Sequence, residues 1–254
     1  MRARLSVFLI LLSSLLPPSA QATKSHGVDL RVLKEAIQNL SSGNYRMRAV
    51  EVGVEPGGVL TQSLFPEVSI AYLLDGPEGQ IATVLDATVW RYENKGPHAS
   101  KLVVFELVPT ALTRGEEKRA GENDRLMLER EVAIPATAQK LILVHGTIRP
   151  GGSLGEQTHQ GAEMRLMLAG SLTMTMSDKT TTVHKGEYFF APPQTHMTKV
   201  EGDRTMRTDF IIFEVGAVKD VDADYHDADK SRVNGSHQPR LLPGFDLDTL
   251  REKP

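Results

Sequence analysis

The tripeptide Pro56-Gly57-Gly58 recurs 94 positions later as Pro150-Gly151-Gly152. The same offset carries Val50 onto Val144, Leu60 onto Leu154, Leu74 onto Leu168 and Gly76 onto Gly170, with no gap. A second block, Val103-Val104-Phe105-Glu106, matches Ile211-Ile212-Phe213-Glu214 at an offset of 108. A repeat of this length is too long for a solenoid unit and implies two copies of one domain. The copies are written in β grammar. Arg48 to Glu55, Ile70 to Leu74, Lys101 to Leu107, Lys140 to Val144, Met167 to Met176 and Asp209 to Val215 are short apolar runs parted by Gly, Pro and charged turns. Such spacing predicts an all-β sandwich or barrel.

Three segments stand outside that pattern. Gly27 to Leu40 places Val28, Val32, Leu33, Ala36, Ile37 and Leu40 at three- and four-residue intervals before Ser41-Ser42-Gly43, which predicts a short amphipathic helix. Ala111 to Arg125, rich in Arg, Glu, Lys and Gly, reads as a solvated connection between the copies. Beyond Gly216 the chain turns polar, as an extended arm on the outside or a partly disordered tail.

At the start, Arg2 and Arg4 precede an apolar run from Leu5 to Leu16, then Pro17-Pro18-Ser19 and Ala20-Gln21-Ala22. That is the layout of a secretory leader, and the run is too short for the roughly 20 apolar residues of a membrane span. The expected location is periplasmic or secreted, with no membrane span once the leader is removed. Its loss takes away two arginines and no acid, moving the formal net charge from −3 to −5, which argues against a nucleic-acid partner. The chain has no cysteine, so it has neither a disulfide nor a thiolate ligand. Any metal must be held by nitrogen and oxygen.

Such ligands are present. Gln157, His159 and Glu163 are spaced by two and four, so on a regular strand all three face one way. His196 follows about one hairpin later, after Gly186-Glu-Tyr-Phe-Phe-Ala-Pro-Pro-Gln-Thr. Imidazole and carboxylate converging in a barrel suit one divalent first-row metal: Fe, Mn, Ni or Zn. Gln157 can bind through its amide oxygen or orient a bound water, and both remain open. Arg165 lies two residues beyond Glu163, nominally on the same face. It can pair with Glu163 in place of a metal, or hold a substrate carboxylate or enolate.

These residues resemble the cupin superfamily. Its first motif appears as Gly151, five residues, Gln157-Thr-His159, three residues, Glu163, six residues, Gly170, with Gln157 where the family has a first histidine. Its second appears as Gly186, Pro192 and His196, with one residue fewer before the histidine. The resemblance covers roughly residues 45 to 218. It implies two jelly-roll barrels, one divalent metal on Gln157, His159, Glu163 and His196, and a small-molecule ligand. In the first copy the offset turns Gln157, His159 and Glu163 into Ser63, Phe65 and Ser69, and Trp90 stands at the second-motif histidine. That copy is also short, with three residues from Gly76 to the second-motif glycine at Gly79 against sixteen from Gly170 to Gly186.

The expected organisation is a leader over 1–22, a helical segment over 23–44, a degenerate barrel over 45–110, a linker over 111–125, a metal-binding barrel over 126–218 and a tail over 219–254. A metal-dependent enzyme of dioxygenase, decarboxylase or isomerase type is the first functional expectation. A non-catalytic ligand-binding or sensing module is the second. A structural protein, dimerising through its β-surfaces, is the third.

Overall fold

The computed structural model describes residues 25–62, 68–75, 81–85, 90–111, 124–177 and 179–218. The leader, the tail, Ser63 and Phe65 lie outside them, as does most of the linker. Among the described residues every element is a strand: β1 His26–Asn39, β2 Gly43–Val54, β3 Val59–Gln62, β4 Val68–Leu73, β5 Ile81–Leu85, β6 Trp90–Glu93, β7 Ser100–Pro109, β8 Arg125–Ile134, β9 Ala138–Ser153, β10 Gln157–His159, β11 Ala162–Ala169, β12 Ser171–Met176, β13 Lys179–His184, β14 Tyr188–Ala191, β15 Thr195–Gly202 and β16 Thr208–Ala217.

The repeat is visible in the pairing. The first sheet runs β5-β4-β7-β2-β8, beside a β3-β6 pair. The second contains β14-β11-β16-β9, with β1 also paired to β9, and so presents the same five-strand order. From the far end of β9 it continues through β15 and β12 to β13, with β10 on β15, and wraps into a nearly closed barrel. Both Pro-Gly-Gly turns keep one geometry. Gly57 and Gly151 each have φ of 72°, a left-handed conformation that favours glycine. Their N–H groups donate to Asn94 O at 2.8 Å and Asp203 O at 2.9 Å. The β12–β13 hairpin has no counterpart among the described residues of the first copy, where seven residues separate β4 from β5.

The helix expected over Gly27 to Leu40 is instead β1, antiparallel to β9 from His26 to Asn39 with bulges at 26/28 and 32/34. Val32 and Ile37, which that helix would bury, are 42% and 58% exposed. The physical reason is tertiary. β9 has an edge to satisfy, and β-branched Val28, Val32 and Ile37 suit a pleated surface. The exchange is reciprocal. β1 precedes the first copy yet pairs with β9 of the second, while β8 precedes β9 yet pairs with β2 of the first. The segment 126–134, placed by the sequence with the second barrel, therefore hydrogen-bonds into the first sheet.

Three apolar layers hold the molecule. Val50, Val52, Leu102 and Val104 fill the inside of the first copy. Ile142, Val144, Met167, Met174, Met197 and Phe210 fill the second. Between the sheets, Met47, Ile70, Phe105 and Leu107 meet Leu141, Leu143, Met164, Leu166, Ile211 and Phe213. Alternation makes this economical, since odd-numbered residues of β7 face the middle layer and even-numbered ones the first barrel. Phe105 and Phe213, equivalent in the repeat, stack there with centroids 5.4 Å apart. Tyr188 adds a polar tie by donating from its hydroxyl to Glu51 Oε1 at 3.1 Å.

Candidate ligand site in the second barrel

Register decides which motif residues meet. On β10 and β15, Gln157 is opposite Met197, Thr158 opposite His196 and His159 opposite Thr195. Directly opposed residues share a face. Gln157, His159 and Met197 therefore point one way and His196 the other. His159 is 2% exposed and Met197 fully buried, whereas the His196 side chain is 48% exposed. His196 lies on the outside, with Nδ1 3.0 Å from Thr158 Oγ1 and Nε2 3.1 Å from Glu156 Oε1. The expectation that it joins a metal set is corrected. The missing residue before His196 carried that outcome, because a one-residue shift on a strand exchanges the faces. Gln194, where the motif has its glycine, takes φ of 61° in the turn before β15.

On β11, Ala162, Met164 and Leu166 face the middle layer. Glu163 and Arg165 point into the barrel with Met167 and are completely buried. Glu163 sits directly opposite Glu214 of β16. Like charges so placed repel, and their burial demands cationic partners. Arg165 supplies one. Its guanidinium grips Glu163 through two edges, Nε against Oε1 and Nη2 to Oε2 at 3.2 Å. Nη2 also lies 3.1 Å from His159 Nε2. Nη1 reaches Met174 Sδ at 3.7 Å, and the guanidinium carbon stands 5.9 Å from the centre of the Phe210 ring. Gly146 makes room for that ring, since a Cβ there would fall 2.2 Å from it.

His159 completes the cluster, with Nδ1 2.9 Å from Glu163 Oε2. The contact lacks hydrogen-bond geometry and is an ion pair when the imidazole is protonated. Burial disfavours a charged His159, but the Glu163 carboxylate, aided by Glu214, outweighs burial and Arg165 and holds its pKa above the ordinary value. Burial likewise opposes ionisation of Glu163, yet Arg165 and His159 overcome it and hold that carboxyl far below the usual range. Two carboxylates are thus met by one permanent cation and one inducible cation. Gln157 Oε1 is also buried, and among the described residues no donor reaches it.

The four-residue metal set of Gln157, His159, Glu163 and His196 does not fit a metal here. His196 is on the wrong face, Met197 occupies the inward position, and Arg165 holds the carboxylate a metal would use. A different trio, His159, Glu163 and Glu214, brings one ligand atom each to within 4.8 Å of one another. Sequence reasoning missed Glu214. Its signal was a carboxylate closing the otherwise apolar run Phe210-Ile211-Ile212-Phe213, at the parity of the barrel-facing Phe210 and Ile212.

No curated protein matches the chain. Among solved structures it is similar to a cupin superfamily protein from Desulfitobacterium hafniense, at 14% identity over 30% of this chain and 67% of that one, TM-score 0.28. It is similar to an RmlC-like cupin with a double-stranded β-helix fold from Methanocaldococcus jannaschii, at 13% identity over 32% and 75%, TM-score 0.30. A polyketide cyclase from Streptomyces resistomycificus is similar at 21% identity over 31% and 60%, TM-score 0.27. The chain thus spans less than two thirds of that cyclase. Residues 144–213, from the middle of β9 into β16 and including His159, Glu163 and Arg165, match the model of the cupin domain. The match shows a cupin domain over that segment of the chain.

Proposed function

We propose that this is an exported ligand-binding cupin whose second barrel takes up a small organic molecule without the help of a transition metal. The carrying observation is Arg165, fully buried, with its guanidinium against both Glu163 and His159. It supplies in covalent form the positive charge that a metal would bring. Gln157 Oε1 offers a buried acceptor to a ligand hydroxyl or amine, since a buried acceptor is stabilised by a donor. Met174, Met197 and Phe210 are the apolar neighbours of this cluster, against which a ligand's carbon frame would pack. The first copy acts as a degenerate partner that buries the middle layer. The leader directs the protein to the periplasm or the exterior.

Elemental analysis of the purified mature protein tests this. The expected result is far less than one transition metal per chain, with thermal stability unchanged by a chelator. About one metal per chain, with stability lost on chelation, would overturn it. A second reading, a metal-dependent enzyme of dioxygenase type, is favoured by the proximity of His159, Glu163 and Glu214. That same result would select it.

A further inference from the structure

A divalent ion and a guanidinium compete for the same carboxylate oxygens, and in this barrel the guanidinium is tethered to the chain. We infer that Arg165 is a built-in cation that keeps metal out, and that His159, Glu163 and Glu214 form a latent divalent-metal site uncovered when Arg165 is removed. This rests on the metal-free reading above and assigns its cause.

Three observations carry it. The ligand atoms of His159, Glu163 and Glu214 lie within 4.8 Å of one another. An ion with bonds of about 2.0–2.2 Å holds opposite ligands roughly 4 Å apart, so a small inward shift closes the set. The three side chains are buried and come from β10, β11 and β16, rigid elements rather than loops. Next, Glu163 and Glu214 face each other across adjacent strands, so a cation beside them relieves the repulsion between two ionised carboxylates. Last, the first copy also sets a guanidinium beside the acid at this register, with Ser69 where the second copy has Glu163. Glu106, the repeat equivalent of Glu214, has Arg48 Nη1 at 3.9 Å, and Arg48 Nε donates to Glu129 Oε2 at 2.6 Å. Arg48 is 3% exposed and sits on β2, whereas Arg165 sits on β11. Each copy thus places a buried guanidinium against carboxylates, Arg48 with Glu106 and Glu129 and Arg165 with Glu163, from different strands. A requirement for positive charge explains this better than inheritance of one side chain.

The test compares cobalt(II) binding to the wild-type protein and to Arg165→Met, by titration calorimetry and by the ligand-field absorption of bound cobalt. Removing a unit positive charge from contact distance should tighten cobalt binding by at least about 100-fold. The variant should take up about one ion per chain, and Glu163→Gln/Arg165→Met should lose it. If Arg165→Met does not fold alone, refolding with cobalt should restore it, because the ion replaces the lost charge. Failure of the folded variant to bind, failure of cobalt to rescue an unfolded one, or equal binding by the double variant overturns the inference while the metal-free reading stands. Equally tight cobalt binding by wild type overturns both.

Discussion

Replacing Glu163 by Gln leaves the Arg165 guanidinium buried without its bidentate partner. Both groups are wholly buried, so solvent screening does little to soften the change. Breaking a buried ion pair by removing one partner costs about 3–5 kcal/mol. Glu214, in the same cluster, recovers part of this, so about 3 kcal/mol is expected for Glu163→Gln. For a chain of this size each kcal/mol is worth roughly 2–4 °C, which places Tm about 6–12 °C lower. Arg165→Met strands the Glu163 carboxylate opposite Glu214 and should cost at least as much. The double variant Glu163→Gln/Arg165→Met removes the paired charges together and should lose far less than the sum, with a coupling of about 2–3 kcal/mol. Urea unfolding followed by circular dichroism, at neutral pH with a chelator present, measures all four corners of the cycle. Additive losses, within about 0.5 kcal/mol, would refute the argument that Arg165 and Glu163 act as one unit.

The pH dependence follows from the two shifted groups. His159 has a pKa above its ordinary 6.5, so its contribution is fully present below that value and is lost as pH rises through the raised pKa. Glu163, depressed from 4.5, contributes fully above that value and loses its contribution as pH falls through the depressed pKa. Tm measured across pH 5 to 9 should therefore decline on the alkaline side, and His159→Gln should flatten that decline. His196→Ala should leave metal content unchanged and shift stability by less than about 1 kcal/mol, because its partner Glu156 is also partly exposed; denaturant melts and elemental analysis check both parts. Phe213→Ala should cost about 3–5 kcal/mol by emptying the middle layer against Phe105, and hydrogen exchange should quicken in both β7 and β16. Faster exchange in β16 alone would show that the two sheets are not coupled.

Much of the architecture was legible because a strand records its two environments in alternate residues. The apolar runs, the 94-residue offset and the paired Pro-Gly-Gly turns are local signals, and each reappears in the pairing. Inward positions for His159, Glu163 and Arg165 followed from even spacing, and the structure buries all three. The same parity argument failed at His196, where the spacing was one residue short and the face reversed. The segment over 26–39 misled for another reason. Its apolar residues satisfy a helical period, yet the deciding term was the hydrogen-bonding edge of β9, more than a hundred residues away.

By itself, then, the sequence determined the β character, the paired Pro-Gly-Gly turns and the inward face of β10 and β11, because these depend on neighbours along the chain. Only the tertiary structure decided that β1 and β8 cross between the copies, that Glu214 stands opposite Glu163, and that Arg165 occupies the place of a cation. Those outcomes depend on which strands lie side by side and on how buried charges cancel, and neither quantity is written at any one position.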